Sequence, residues 1–202
     1  MGQVVHPLSP TPVRPALILA SASPRRLALL GAVGWVVQVR PAEIDETIRP
    51  GESPSDLVLR LARSKARRSR AHSSELVLAA DTVVFDPEIA PAILGKPANA
   101  DDARVMLGRL AGREHRVITG YCVIRGERER VGVVTSRVRM RPLASEEIGA
   151  YVASGEPLDK AGAYGIQGLG AALVEQVLGS YSNVVGLPMR EVLASIDAVA
   201  AS

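Results

Sequence analysis

The 202 residues carry a formal net charge of +3 and are 47% hydrophobic but only 3% aromatic. A chain of this length can bury one substantial core or two small lobes about a cleft, and so few rings disfavour a surface that stacks the bases of a nucleic-acid strand. A single cysteine, Cys122, excludes an intrachain disulfide and any zinc site built on several thiolates.

Met1 to Pro15 holds four prolines and no basic segment followed by a long apolar run, so residues 1–15 read as a flexible extension, with neither secretion nor membrane insertion supported. Residues 16–202 read as one globular unit. Ala16 to Ala20 is a short apolar strand, followed at once by Ser21-Ala22-Ser23-Pro24-Arg25-Arg26. Ser23 as N-cap and Pro24 at the first helical position predict a helix from Pro24 to about Ala32. Val36 to Arg40 reads as a strand leading into the acidic loop Glu43-Ile44-Asp45-Glu46. Ser53-Pro54-Ser55-Asp56 repeats the helix-start signal and opens a second helix reaching about Arg70.

Leu76 to Phe85 is a continuous apolar run, the pattern of a strand covered on both faces, broken only by Asp81 and Thr82. A third helix is expected from Ala100 to Leu110. Val117–Ile124 and Arg130–Met140 flank Arg125-Gly126-Glu127-Arg128 as the arms of an antiparallel hairpin. A fourth helix runs from Ser145 to Gly155, the glycine-rich stretch Lys160–Gly170 follows, Ala171–Val177 reads as a strand and Pro188 to about Val199 as the last helix. Strands alternating with helices, plus one hairpin, give an α/β class with a mixed central sheet flanked by helices. Cys122, among Tyr121, Val123 and Ile124, reads as a buried and inert thiol.

Two segments carry chemistry on their own. Ser21 to Arg26 places a helix N-terminus and two guanidinium groups directly after a strand, an arrangement that holds anions, although a solvated helix start would read the same. Neither a Walker A sequence nor a Gly-x-Gly-x-x-Gly loop is present. Asp81 inside so apolar a run would be costly to bury unless paired, protonated or bound to a metal; the alternative is a strand that stops near Ala80, with Asp81 in a turn. Glu46 offers a second carboxylate for a hard cation, or is a solvated loop residue. Lys65 and Lys96 are cationic candidates, and Gln167 could meet a base edge from the glycine-rich stretch. His6, His72 and His115 sit in unrelated contexts, which points to neither a histidine metal cluster nor a Ser-His-Asp arrangement.

Five stretches in order, Leu19-Ala20-Ser21-Ala22-Ser23-Pro24-Arg25-Arg26, Arg60-Leu61-Ala62-Arg63-Ser64-Lys65-Ala66, Ala80-Asp81-Thr82-Val83-Val84, Leu94-Gly95-Lys96-Pro97 and Asp159 to Gly168, resemble the Maf family of nucleotide pyrophosphatases from about Ala16 to about Leu193. Arg25, Thr82 and the Tyr164-Gly165-Ile166-Gln167 run are similar to the branch acting on dTTP and UTP, more than to the branch preferring 7-methyl-GTP. The resemblance implies an elongated Maf/ITPase-like fold with a deep cleft, often a homodimer, in the cytoplasm. It implies Asp81 as general base; Arg25, Thr82 and Gln167 in substrate choice; Ser21, Arg26, Lys65 and Lys96 at the phosphates; and Glu46 with Asp81 at a divalent metal, magnesium or manganese. The partner implied is a nucleoside triphosphate, with no stable nucleic acid and no membrane. One departure concerns Phe85 to Ile93, longer than the short glycine-containing turn of the family, which leaves the geometry near Lys96 open. The rival reading is a non-catalytic, nucleotide-responsive regulator of cell division.

Overall fold

A computed structural model describes residues 15–89 and 92–201, so the expected extension over residues 1–15 lies outside the described residues except for Pro15. The elements, in order, are β1 (Leu17–Leu19), α1 (Pro24–Ala32), β2 (Val37–Val39), α2 (Pro54–Ser69), β3 (Leu76–Phe85), β4 (Ile93–Leu94) and α3 (Ala100–Leu110). They continue with β5 (Glu114–Arg125), β6 (Arg128–Met140), α4 (Ser145–Ala153), β7 (Val174–Leu178), α5 (Tyr181–Val185) and α6 (Met189–Ala200). All seven strands join one mixed sheet in the order β2-β1-β3-β5-β6-β7, with β4 paired to β3. β1 runs parallel to β2 and β3, and the other pairings are antiparallel.

The helices start where the short-range chemistry dictates. Ser23 and Ser53 cap α1 and α2 with Pro at the first helical turn, and Ser53 Oγ accepts from the Asp56 backbone N–H at 3.1 Å. The buried stripe of α2, Leu57, Val58, Leu61, Ala62 and Ala66, recurs at helical spacing and lies on one sheet face. There Ala62 and Ala66 meet Ile18, Val77, Ala79 and Cys122, while Val58 and Leu61 meet Val83 and Ile118. On the opposite face Leu76, Leu78, Ala80, Tyr121 and Val123 pack against Val192, Ile196 and Val199 of α6. Towards the far end of β3, Val84, Val117 and Met140 join Met106, Leu107 and Leu110 of α3 and Tyr151 and Val152 of α4. Cys122 is fully buried, and burial pushes its thiol up to about 12, which leaves it unreactive at neutral pH.

Some boundaries differ from expectation. The hairpin is longer on both arms, closing at Arg125 opposite Arg128. The strand expected over Ala171–Val177 begins only at Val174, because Gly168–Leu173 winds into a 3-10 turn. That turn is held by the Glu156 carboxylate, which accepts from the backbone N–H groups of Leu169 at 2.9 Å and Gly170 at 3.0 Å. β3 runs unbroken through Asp81 to Phe85, which removes the reading of Asp81 as a turn residue. The longer connection after Phe85 closes through the Asp86 N–H to Ala92 C=O bond at 2.9 Å, and β4 then pairs Leu94 with Val84.

Candidate active site

β3 has a gap along one edge. β1 pairs with it only at Leu76, Val77 and Leu78, and β4 only at Val84 and Phe85, while β5 covers the other edge from Val77 to Phe85. The stretch between the two short partners contains Asp81 and Thr82, and here a cleft of about 550 Å³ opens. Its volume lies within the range of small-molecule sites. Alternation along β3 then separates the two residues: Asp81 shares the α2 face with Ala79 and Val83, and Thr82 turns to the other face.

Asp81 is 8% exposed, and its burial is answered by Lys65 of α2, whose Nζ lies 2.5 Å from Asp81 Oδ1 and 2.8 Å from Glu46 Oε1. One ammonium therefore joins the buried strand carboxylate to the exposed loop carboxylate. The N-terminus of α1 supplies another wall, where Ser21 is 8% exposed and its Oγ accepts from Ser23 N at 3.2 Å and Arg26 Nη1 at 3.0 Å. Lys96 and Gln167 are exposed and line the same cleft. Gly95 reaches it because its carbonyl accepts from Gly162 N at 2.9 Å. Only a glycine fits at 162, where φ is +68° and a Cβ would stand 2.8 Å from Val84. The longer Phe85–Ile93 connection thus still delivers Lys96 to the cleft.

All nine residues singled out by sequence, Ser21, Arg25, Arg26, Glu46, Lys65, Asp81, Thr82, Lys96 and Gln167, line this cleft. Arg26, however, is largely committed to the protein: its guanidinium donates to Gly186 C=O at 2.8 Å, Ala80 C=O at 2.8 Å, Ser21 Oγ and Thr82 Oγ1 at 3.0 Å. Burial pulls its pKa below the ordinary value, with Asp81 opposing. Arg26 therefore splints the gap in the sheet and keeps little donor capacity for a ligand.

Several residues that shape the site carried no separate sequence signal. Asp159 ties Arg25 across the cleft, accepting from Nη1 at 2.6 Å on Oδ2 and from Nη2 at 3.2 Å on its backbone oxygen, while its Oδ1 accepts from Lys160 at 2.7 Å. Burial acts to raise the Asp159 carboxyl, but hydrogen bonds from Lys160 and Arg25 outweigh it and hold the group below its ordinary value. Thr119 and Asn183, both fully buried, stand behind Thr82. Lining the cleft are the cations Arg25, Arg26, Lys65, Lys96 and Lys160 against the carboxylates Glu46, Asp81 and Asp159, a balance that favours an anionic ligand.

Among the described residues no group of three or more His, Cys, Asp or Glu side chains gathers to hold a metal. Two carboxylates beside a cationic cleft do fit the way magnesium binds, through one or two carboxylates with phosphate oxygens and water completing the shell.

The description "Maf-like protein" matches residues 16–199. A protein of Anaeromyxobacter dehalogenans named dTTP/UTP pyrophosphatase is 53% identical over 184 residues, covering 89% of this chain and 92% of its own. Proteins of the same name from Symbiobacterium thermophilum and Geobacter sulfurreducens are 51% and 47% identical, covering 86% and 92% of this chain and 89% and 97% of theirs. Among solved structures, the Staphylococcus aureus Ham1 protein superposes with a TM-score of 0.53 at 13% identity, covering 91% of this chain and 96% of that one, a likeness of fold.

Proposed function

The chain belongs to the Maf family, and from that premise we propose that it is a nucleoside triphosphate pyrophosphatase that hydrolyses dTTP and UTP to the monophosphate and pyrophosphate. The observation that carries this reading is the Asp81–Lys65–Glu46 cluster set into the gap of β3 within a cationic cleft. The chemistry asks for a base beside a water, positive groups on the phosphates and a walled site. Asp81 Oδ1 accepts from Lys65, whereas Oδ2 accepts no hydrogen bond from the described residues and is the atom available to a water. As the water oxygen bonds to the α-phosphorus, Asp81 takes its proton. The bond from that phosphorus to the bridging oxygen then breaks, and the electron pair leaves with pyrophosphate.

Lys65, Lys96 and the N–H groups opening α1 hold the phosphates, with Arg26 keeping that helix start in place. Arg25, Thr82 and Gln167 meet the nucleobase. A divalent cation, magnesium or manganese, held by Glu46 and Asp81, would supply charge neutralisation on the phosphate oxygens. The same reading carries a homodimer and a cytoplasmic location, where nucleoside triphosphates are abundant. No helix among the described residues is long and apolar enough to cross a membrane.

The deciding assay resolves pyrophosphate from orthophosphate with purified protein, UTP or dTTP, and magnesium or manganese. Pyrophosphate is expected, with turnover lowered on the order of 10²- to 10⁴-fold in Asp81→Asn. Asn fills the same space and leaves Lys65 paired with Glu46, so unfolding of the variant stays cooperative. Orthophosphate as product, or near-normal turnover in Asp81→Asn, refutes the mechanism; no cleavage of any nucleotide restores the regulator.

A further inference from the structure

Thr82 and Thr119 are direct partners across the β3–β5 ladder, and their hydroxyl oxygens lie 2.9 Å apart. Thr119 is 0% exposed and its Oγ1 donates to the backbone carbonyl of Asn183 at 3.2 Å. A threonine hydroxyl has one proton and two lone pairs. With the Thr119 proton on Asn183, the proton in the 2.9 Å contact comes from Thr82. Arg26 Nη2 meanwhile donates to Thr82 Oγ1 at 3.0 Å. The hydrogen bonds form one directed chain, Arg26 to Thr82 to Thr119 to Asn183 C=O. The competing arrangement sends the Thr82 proton to Gly186 C=O at 3.5 Å, a longer contact that also points into the protein. In both, Thr82 has no proton to offer the cleft it lines.

The geometry points to Thr119 as the positioning residue that makes Thr82 an acceptor-only contact, so that the cleft selects a nucleobase presenting an N–H at that point. Uracil and thymine carry such a donor at their imide N3, whereas the N3 of cytosine is itself an acceptor. Set against the Thr82 lone pair, cytosine brings two acceptors face to face with no proton between them, and a buried mismatch of this kind is disfavoured. Thr119 is buried beneath the strand and does not touch the ligand; it acts through the orientation of its neighbour. Asn183, held by its Nδ2 donating to Val117 C=O and Ser136 Oγ, both at 3.0 Å, keeps the terminal acceptor in place. This inference rests on the reading that the cleft binds pyrimidine nucleotides and adds how it tells them apart.

The test compares kcat/KM for UTP, CTP and N3-methyl-UTP in the wild type, Thr119→Val and Thr119→Ser, alongside calorimetric binding of UMP and CMP. Wild type is expected to prefer UTP over both others by on the order of 10- to 100-fold. In Thr119→Val the Thr82 hydroxyl loses its 2.9 Å acceptor and keeps only the 3.5 Å contact to Gly186 C=O, too long to hold its proton, so it is free to donate to the cleft and the UTP:CTP ratio falls towards one through a lower KM for CTP. Thr119→Ser, which keeps the acceptor, restores the wild-type ratio. An unchanged ratio in folded Thr119→Val overturns the assignment. So does a wild type that processes CTP and N3-methyl-UTP as well as UTP, a result that needs no variant to fold. If no triphosphate is cleaved yet UMP binds more tightly than CMP, the hydrolase reading falls and this one stands; equal binding of UMP and CMP removes it.

Discussion

Asp81 and Gly120 face each other across the β3–β5 ladder, and the missing side chain at Gly120 is what lets α2 settle on the face that Asp81 occupies. A Cβ at position 120 would stand 2.5 Å from the Val58 carbonyl carbon and 2.6 Å from its oxygen, both backbone atoms that cannot turn aside. Gly120→Ala is expected to lift α2 from the sheet, costing about 1–3 kcal/mol as overpacking does. Lys65, two turns further along α2, would then withdraw from Asp81. Urea unfolding and turnover measured together check this; wild-type stability with full activity would show that α2 does not depend on that contact.

Lys65 draws Glu46 and Asp81 together, but the two carboxylates differ in setting, since the Glu46 side chain is 58% exposed and that of Asp81 12%. Glu46→Gln removes the exposed charge and leaves the buried pair intact. The variant is expected to fold as the wild type does and to need on the order of ten times more metal for half-maximal activity, a loss typical of weakened metal sites. Direct manganese titration by electron paramagnetic resonance, with nucleotide present, reads the same shift without turnover. An unaltered manganese affinity would remove Glu46 from the metal site.

His115 supplies a pH dependence that is separate from catalysis. It is 2% exposed, its Nε2 lies 2.7 Å from the Tyr164 hydroxyl, and burial lowers it to about 4 despite the opposing charge of Asp86. Above its ordinary value of 6.5 the ring is neutral in both folded and unfolded chains. As pH falls from 6.5 towards 4, the unfolded chain takes up a proton that the folded one refuses, so stability declines, by about 3 kcal/mol at the limit. Glu52, Glu75 and Glu147, held at about 2 by hydrogen bonds from Arg60, Arg40 and Arg141, give way mainly below 4.5. Urea midpoints between pH 6.5 and 4.5 therefore isolate His115, and His115→Gln should flatten the curve there. An equally steep decline in that variant would assign the effect to other groups.

What the sequence determined by itself was local. Ser23 with Pro24, Ser53 with Pro54 and the apolar spacing of α2 act over three or four residues, so their helices were legible from order alone. The unbroken apolar run Leu76–Phe85 likewise announced a strand covered on both faces, and the five ordered motifs named the family. The two-residue β4 and the five-residue α5 are too short to leave a periodic signal, and both were missed. Only the tertiary structure decided where β1 leaves β3 and β4 joins it, and hence that Asp81 and Thr82 stand at an open edge. It also bonded Arg26 to Ala80 across the gap in the sheet, tied Arg25 to Asp159, and set Thr119 and Asn183 behind Thr82. Those contacts join residues 37 to 134 positions apart. Such pairings depend on strand register and sheet closure, which no short-range propensity encodes.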